Sequence, residues 1–382
     1  MIDLRFVRKC AANCLVCLDA WGGSEWVRAD WETPGAGARF RLTKFGMFGG
    51  APPRAWFTQI DPDDPLLPPI VKWNSRAMRW SSWLAGWPLP GPVACPLDDP
   101  EPVVRWMEGI LRSGGTPMVF TFPGSAVRGC TIAMERGISI AGGKFLVAGE
   151  PTTAARVATV RRAGCEVIPR YGSVECGAIG YGCPQGEHAD EVHVQEQMHG
   201  LIQAGKEATA LGVVPEALFI SSLDRYSPFL MLNVSMGDQA EMTRRRCSCP
   251  FDELGLRTHL HDIRSFEKLT AGGVTFAAGD VIPLLESVLP ACFGGTATDY
   301  QLVEEETAAG EPALTLRMSP TVGPVDGEQV RAVFLERLGE ASVAAAAMAR
   351  MWKDSGTLRV AREAPVVSRA GKILHLHVRR KG

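Results

Sequence analysis

The 382-residue sequence has no apolar run of about 18 residues or more, so it offers no helix able to cross a bilayer. A convincing leader is missing as well. Arg8 and Lys9 precede the apolar stretch CAANCLVCLDAW, but Asn13 and Asp19 interrupt it and no small-residue cleavage site follows. Nor is there a block of one charge. The 40 Lys and Arg are matched by 42 Asp and Glu for a net charge of −2, which argues against a nucleic-acid surface and against an acidic disordered arm. The basic triplet Arg244 to Arg246 reads as a solvated turn. Internal repeats and low-complexity segments are absent; the alanine run near Ala344 is a strong helix former and nothing more. These absences point to a cytoplasmic globular protein with neither nucleic acid nor membrane as a partner.

What is present is enough for real cores. The length suits two or three domains and 46% of residues are hydrophobic. The 41 glycines and 27 prolines suit a loop-rich enzyme. Eleven cysteines, an odd number without a leader, argue for reduced thiols, some of them on metal. Cys10, Cys14 and Cys17 recur at i, i+4 and i+7, the packed face of an amphipathic helix.

Residues 20–100 give the least regular pattern. Beyond Asp98 apolar strands (Pro117–Phe122, Lys144–Ala148, Cys165–Pro169) alternate with helical stretches (Pro102–Leu111, Ser125–Glu135, Thr152–Ala163), the signature of βαβ units and a parallel sheet. Val192–Val194, Ala217–Ser221 and Phe229–Val234 are strand-like without helices between them, which predicts a smaller antiparallel sheet or barrel. Past Arg264, helices at Asp280–Val288 and Gly327–Leu338 and strands at Tyr300–Glu305, Ala313–Met318 and Leu358–Ala361 predict a small α+β domain. The fold class expected is therefore α/β, with a large N-terminal domain over 1–264 and a small one over 265–382.

Two constellations carry chemistry. Cys183-Pro-Gln-Gly-Glu-His188 is followed some sixty residues on by Cys247-Ser-Cys249. Thiolate and imidazole are the ligands zinc prefers, and four of them make a closed structural site. Cys183, His188, Cys247 and Cys249 are the expected ligands, with His193 as the alternative imidazole and scattered, unliganded cysteines as the plain alternative. The second constellation is Phe145 to Cys183, read as strand, glycine turn, helix, strand and a polar loop with Tyr171 and Glu175 at a strand's carboxyl end. In open α/β sheets ligands bind there.

Several ordered motifs from Pro117 to the C-terminus resemble the adenylate-forming (acyl-CoA synthetase) superfamily, in particular its phenylacetate-CoA ligase-like branch. Gly149-Glu150-Pro151 resembles the turn that lies against adenine. Tyr171-Gly172-Ser173-Val174-Glu175 resembles the motif whose tyrosine stacks on adenine and whose glutamate serves Mg²⁺. Met236-Gly237-Asp238 resembles the motif whose aspartate grips the ribose hydroxyls. The segment from Arg264 through Gly272 and Gly273 resembles the hinge and glycine loop of a mobile C-terminal domain. Gly371-Lys372-Ile373 stands where the family has its catalytic lysine, and the cysteine pairs flank the aspartate motif as they often do in this branch.

The resemblance implies ATP, Mg²⁺, CoA or phosphopantetheine, and structural zinc. As partners it implies a small carboxylic acid and CoA or an acyl carrier protein, and it leaves a homodimer open. It places the acyl pocket around Phe120, Phe122, Pro123, Gly124 and Gly177, suited to a compact, aromatic acid. Each residue also has a plain reading: Glu175 as a turn cap, Asp238 as a turn residue, Lys372 as part of a basic tail, the phenylalanines as core.

The sequence departs from the family pattern in several places, among them Met236 for the threonine of the aspartate motif and Asn233 and Ser235 where basic residues are usual. It has no hydroxyl-rich phosphate loop, the nearest counterpart by distance being Leu42 to Gly50, and the N-terminal region is shortened. Two enzymatic expectations follow. One is an acid–thiol ligase forming an acyl-adenylate, of the specialised kind found in secondary metabolism. The other is an ATP-independent acyltransferase, or a diverged member with an amine acceptor. A zinc-stabilised binding module is the non-enzymatic reading.

Overall fold

In a computed structural model the chain is described except for residues 1–3, 24, 33–41, 43–51, 66, 68, 98, 174, 206–215, 266–280, 282, 296–298, 308–311, 342, 367–375 and 379–382. It divides into two compact units, Met1–Phe266 and Glu267–Gly382.

The first unit is built on one sheet of 12 strands. Its strands are β1 (Val27–Glu32), β2 (Ala55–Thr58), β3 (Pro92–Ala94), β4 (Pro117–Thr121), β5 (Lys144–Val147), β6 (Glu166–Ser173), β7 (Gly177–Gly182), β8 (Val192–Val194), β9 (His199–Gln203), β10 (Ala217–Ser222), β11 (Val234–Arg244) and β12 (Thr258–Ser265). Their spatial order is β3-β2-β1-β4-β5-β6-β7-β8-β12-β11-β10-β9. From β3 to β6 every pairing is parallel. From β6 to β9 every pairing is antiparallel.

Strand β6 belongs to both halves. Glu166 to Pro169 pair with β5, and Arg170 to Ser173 pair with β7. The predicted smaller antiparallel sheet is thus continuous with the parallel one. Tyr171 is a strand residue and not part of a loop. Phe229 to Asn233, expected in a strand, lie outside one, because β11 starts at Val234.

The parallel half is layered as such sheets require. β4 (PMVFT) is buried at every position, covered on both faces. On one face lie α3 (Glu101–Arg112) and α4 (Pro123–Glu135), where Gly129 lets Trp31 approach the helix closely. On the other face α1 (Leu4–Ala20) buries Cys14, Cys17 and Leu18 against Met118, Phe120, Leu146, Ile168 and Tyr181. The cysteine stripe is core, as its spacing predicts. The region with the weakest sequence pattern supplies β1, β2, β3 and the helix α2 (Pro69–Leu84). Its strands are only three to six residues long, too short to show a period.

The second unit has a four-stranded sheet ordered β15-β14-β13-β16. These strands are β13 (Tyr300–Glu306), β14 (Pro312–Met318), β15 (Leu358–Ala361) and β16 (Leu376–Val378). Two long helices, Gly327–Ala341 and Val343–Ser355, bring Phe334, Leu338, Met348 and Trp352 onto Tyr300, Leu302, Leu314 and Leu316. The expected helix at Asp280–Val288 is instead a π turn, Leu284–Val288, running into a short helix, Leu289–Phe293, that Gly294 ends with φ +85°.

Candidate nucleotide site and thiol–imidazole cluster

The carboxyl ends of β4 and β5 converge on one buried ion pair. Gly149 leaves β5 at φ +86°, with room for no side chain: a Cβ would stand 3.1 Å from the Phe122 ring. The chain then turns Glu150 inward. Its Oε2 accepts from the Gly124 amide (2.8 Å) at the start of α4 and from Arg156 Nη1 (3.0 Å), and Arg156 also donates to the Pro151 carbonyl (2.7 Å). Arg156 sits in α5 (Ala154–Arg162), which Thr153 caps by accepting from the Arg156 amide. Phe122, Pro123, Gly124, Gly149, Glu150 and Pro151 therefore form one fixed corner. One oxygen of Glu150, Oε2, is spent on holding it, while Oε1 is buried without a hydrogen-bond partner.

The other expected pocket residues lie elsewhere. Phe120 is buried in the core beneath α1, and Gly177 (φ +76°) also packs there, a Cβ on it meeting Cys10 Sγ at 3.3 Å.

The antiparallel half curls enough for β6 and β11, four places apart in the sheet, to meet. Tyr171 Oη donates to Asp238 Oδ2 at 2.9 Å. Burial, and then the neighbouring Asp238 charge, push the Tyr171 phenol well above its usual pKa, so it stays a donor at any physiological pH. Gly237 precedes the aspartate at φ +77°, and its carbonyl accepts from Ser265 Oγ (3.1 Å), which fixes β11 to the end of β12. On the other side Ser173 Oγ accepts from the Cys176 amide (3.1 Å), closing the β6–β7 turn that carries Gly172 and the partly exposed Glu175. Motifs separated by 67 residues in sequence thus share one wall.

Arg264 is occupied within this half. Its Nη1 donates to Asp190 Oδ2 (3.0 Å) and to the Ile263 carbonyl (2.6 Å), while Asp190 also accepts from the amides of Asp262 and Ile263. Lys372, Gly272 and Gly273 lie outside the described residues, and so does all of Leu42–Gly50 except Leu42, which is core.

The thiols gather as expected, but with a different imidazole. Cys183, His193, Cys247 and Cys249 are all buried, and their donor atoms lie within 4.8 Å of one another. His193 Nε2 is 3.1 Å from Cys249 Sγ and 3.4 Å from Cys247 Sγ, and the two sulfurs are 3.2 Å apart. His188 does not take part. It sits half-exposed in the turn after Cys183, its amide held by Glu191 Oε2, and its ring stacks on His261. Strand alternation explains the correction: β8 packs Val192 and Val194 into the barrel core, which aims His193 at the opposite face. That alternation, V-H-V, was visible in the sequence.

The donor set fits a tetrahedral ion. A zinc site with Zn–S of about 2.3 Å and Zn–N of about 2.0 Å has edges of roughly 3.5–3.8 Å, so a few tenths of an ångström of expansion would seat it. His193 Nδ1 donates to the Leu256 carbonyl (2.8 Å), which leaves Nε2 as the bare lone pair facing the sulfurs. Burial, and then the neighbouring His259, lower the His193 pKa to about 4 and keep the ring neutral. Burial raises the Cys183 and Cys249 thiols, opposed by amide hydrogens of Gln185 on Cys183 and of Asp252 and Phe251 on Cys249. Such amides favour the thiolate that a cation would bind. Glu191 braces the loop. Burial opposes its charge, but the amides of Glu187 and His188 and the Arg245 guanidinium hold it below the usual carboxylate range.

No protein-family model matches the chain, and no curated protein matches it. Solved structures do match. An amide bond synthetase from Marinactinospora thermotolerans aligns with a TM-score of 0.51 at 14% identity, covering 95% of this chain and 63% of the other. An o-succinylbenzoate CoA synthetase from Bacillus subtilis gives 0.48 at 13% (96% and 64%), and an anthranilate CoA ligase in complex with anthranoyl-AMP gives 0.36 at 13% (94% and 61%). The chain spans a little over three fifths of the length of these structures. At such identity the first likeness shows the fold alone, which this chain shares with the amide bond synthetase.

Proposed function

We propose that the chain is an adenylate-forming ligase that activates a small carboxylic acid with ATP and passes the acyl group to the thiol of CoA or a carrier protein. The observation that carries this reading is the Tyr171–Asp238 hydrogen bond, which joins the adenine and ribose motifs in one wall beside the Gly149–Pro151 corner. We assign Asp238 to the ribose hydroxyls and the largely buried Tyr171 to the purine.

In the first half-reaction a carboxylate oxygen attacks the α-phosphorus of ATP, the bond to pyrophosphate breaks, and an acyl-AMP anhydride forms. Lys372 is assigned the cation that neutralises charge developing between the two anions. Glu175 is assigned the oxygen ligand for Mg²⁺, which would screen the phosphates. In the second half-reaction a thiolate attacks the acyl carbonyl and AMP leaves, with Gly272 and Gly273 assigned to the pantetheine path.

A second glycine-rich segment stands in the sequence where it could serve phosphate binding. Thr33-Pro34-Gly35-Ala36-Gly37-Ala38-Arg39 follows directly on β1 in the chain, and β1 lies inside the parallel half between β2 and β4. Glycine-rich backbone after such a strand presents amides to phosphate oxygens. We assign it that role in place of Leu42–Gly50.

For the thiol–imidazole cluster we infer structural zinc, held by Cys183, His193, Cys247 and Cys249 with no position left for water. The test of function is pyrophosphate release across a panel of aromatic and aliphatic acids. Release that needs ATP and one acid class, and that Lys372→Ala abolishes, supports the ligase. Acyl transfer from acyl-CoA without ATP replaces it with the acyltransferase reading, and neither activity leaves the binding module.

A further inference from the structure

The histidine displaced from the thiol cluster meets a second set of donors. His188 and His261 stack with ring centroids 3.7 Å apart and planes within 3° of parallel. Both rings present Nδ1 to one carboxylate oxygen: Asp262 Oδ2 lies 3.0 Å from His261 Nδ1 and 4.0 Å from His188 Nδ1. We propose that His188, His261 and Asp262 form a second, surface metal site that takes a borderline divalent cation such as Zn²⁺, Co²⁺ or Ni²⁺, separate from the buried thiol cluster.

The spacing is that of a hydrogen-bonded pair and is also compatible with a shared ion. Two ligand atoms each about 2.1 Å from a cation and at right angles to it lie about 3.0 Å apart, the His261–Asp262 separation seen here. The His188 ring is half-exposed at the rim of its turn, with room to tilt and bring its Nδ1 in by the remaining ångström. Two imidazoles and a carboxylate suit zinc, cobalt and nickel, whereas the hard cations Mg²⁺ and Ca²⁺ prefer all-oxygen sites.

The site is also braced in the way metal ligands usually are. Asp262 is held at φ +53°, an uncommon conformation for a residue with a side chain, because Asp190 accepts from its amide and from that of Ile263. Glu241, opposite His261 on the paired strand β11, places Oε2 3.8 Å from His261 Nε2. At that distance the pair is an ion-pair contact and not a hydrogen bond, while Nδ1 faces Asp262. His188 is tied in through its amide, which Glu191 accepts. With two faces open, the ion would keep water or exchange readily, unlike the closed cluster.

The experiment is equilibrium dialysis of the full chain against Co²⁺, with metal content and the visible spectrum read together. Thiolate ligation produces intense charge-transfer absorption, and a nitrogen–oxygen site does not, so each site reports separately. The expected result is two equivalents in the wild type, falling to one in His188→Ala and in His261→Ala with the thiolate band unchanged. Uptake confined to the thiolate-linked equivalent in the wild type overturns the proposal. So does a second equivalent that survives both substitutions. His188 is at the surface, so His188→Ala tests the site even if His261→Ala fails to fold. Absence of the thiolate band would contradict structural zinc in the buried cluster while leaving the loss on His188→Ala as an independent readout.

Discussion

The two halves of the large sheet are stabilised by different means. The parallel half, from β3 to β6, is buried by helices on both faces, and its ligand-facing corner rests on a single ion pair, Glu150–Arg156, almost fully buried on both sides. The antiparallel half, from β6 to β9, carries long connections with little apolar surface to bury. It fixes them with polar and sulfur chemistry: the four-ligand cluster, Glu191 with Arg245, and Asp190 with Arg264. One half gets its geometry from layers, the other from clamps. The proposed nucleotide wall includes β6, the strand they share, so damage to either half should reach it by a different route.

The largest effect is expected from the clamp. Cys249→Ser should abolish stoichiometric zinc and lower the melting temperature by roughly 10 °C or more, since structural zinc contributes several kcal/mol or more to local folding. Elemental analysis and calorimetry check both. A variant that keeps full stability would show that the antiparallel half does not depend on the cluster.

Next comes the buried pair. Arg156→Met strands the Glu150 carboxylate in the core and should cost about 3–5 kcal/mol by urea unfolding, while Glu150→Gln with Arg156→Met together should cost much less. Equal losses in the single and double variants would mean that packing, not charge, holds the corner.

Smaller again is Tyr171→Phe, which removes one hydrogen bond between β6 and β11 within the antiparallel half. About 1 kcal/mol of stability and a roughly fivefold rise in KM for ATP are expected, with kcat little changed. A fall in kcat alone would place Tyr171 in the chemistry and not in the wall.

The smallest effect concerns Lys9 of α1 and the buried carboxylate of Asp224 after β10. Burial opposes the Asp224 charge, but the Lys9 ammonium and the Tyr226 amide prevail and hold its pKa below the usual value. A lowered carboxyl pKa stabilises the fold above the unfolded value and loses that contribution as pH falls through the folded one. Lys9 is half exposed, so Lys9→Met should cost only about 0.5–1 kcal/mol at neutral pH and progressively less below about pH 4. A difference that persists unchanged into acid would contradict the assignment.

Sequence pattern made the parallel core from Pro117 to Pro169 legible because each strand there is a short apolar run between helices of suitable period. It also exposed the ligand-rich loops, since Cys-Pro-x-Gly and Cys-x-Cys are local signals. Four things were hidden, each for a physical reason. The strands before residue 100 are too short to show a period. Continuity of the two half-sheets depends on β6 changing partners at Pro169–Arg170, which no local pattern encodes. The choice of His193 over His188 depended on which face of β8 turns toward the sulfurs, and loop spacing favoured the wrong residue. The Tyr171–Asp238 contact is long-range, and only the order of motifs hinted at it.

The account's central claim is that Tyr171 and Asp238 form the wall of a nucleotide site. Calorimetric titration of wild type and Asp238→Ala with AMP tests it without any choice of acid or thiol. Saturable binding by the wild type is expected, weakening at least tenfold in Asp238→Ala, together with a loss of stability of about 1–3 kcal/mol from the unpaired Tyr171 hydroxyl. No binding by the wild type, or equal binding by the two proteins, would contradict it.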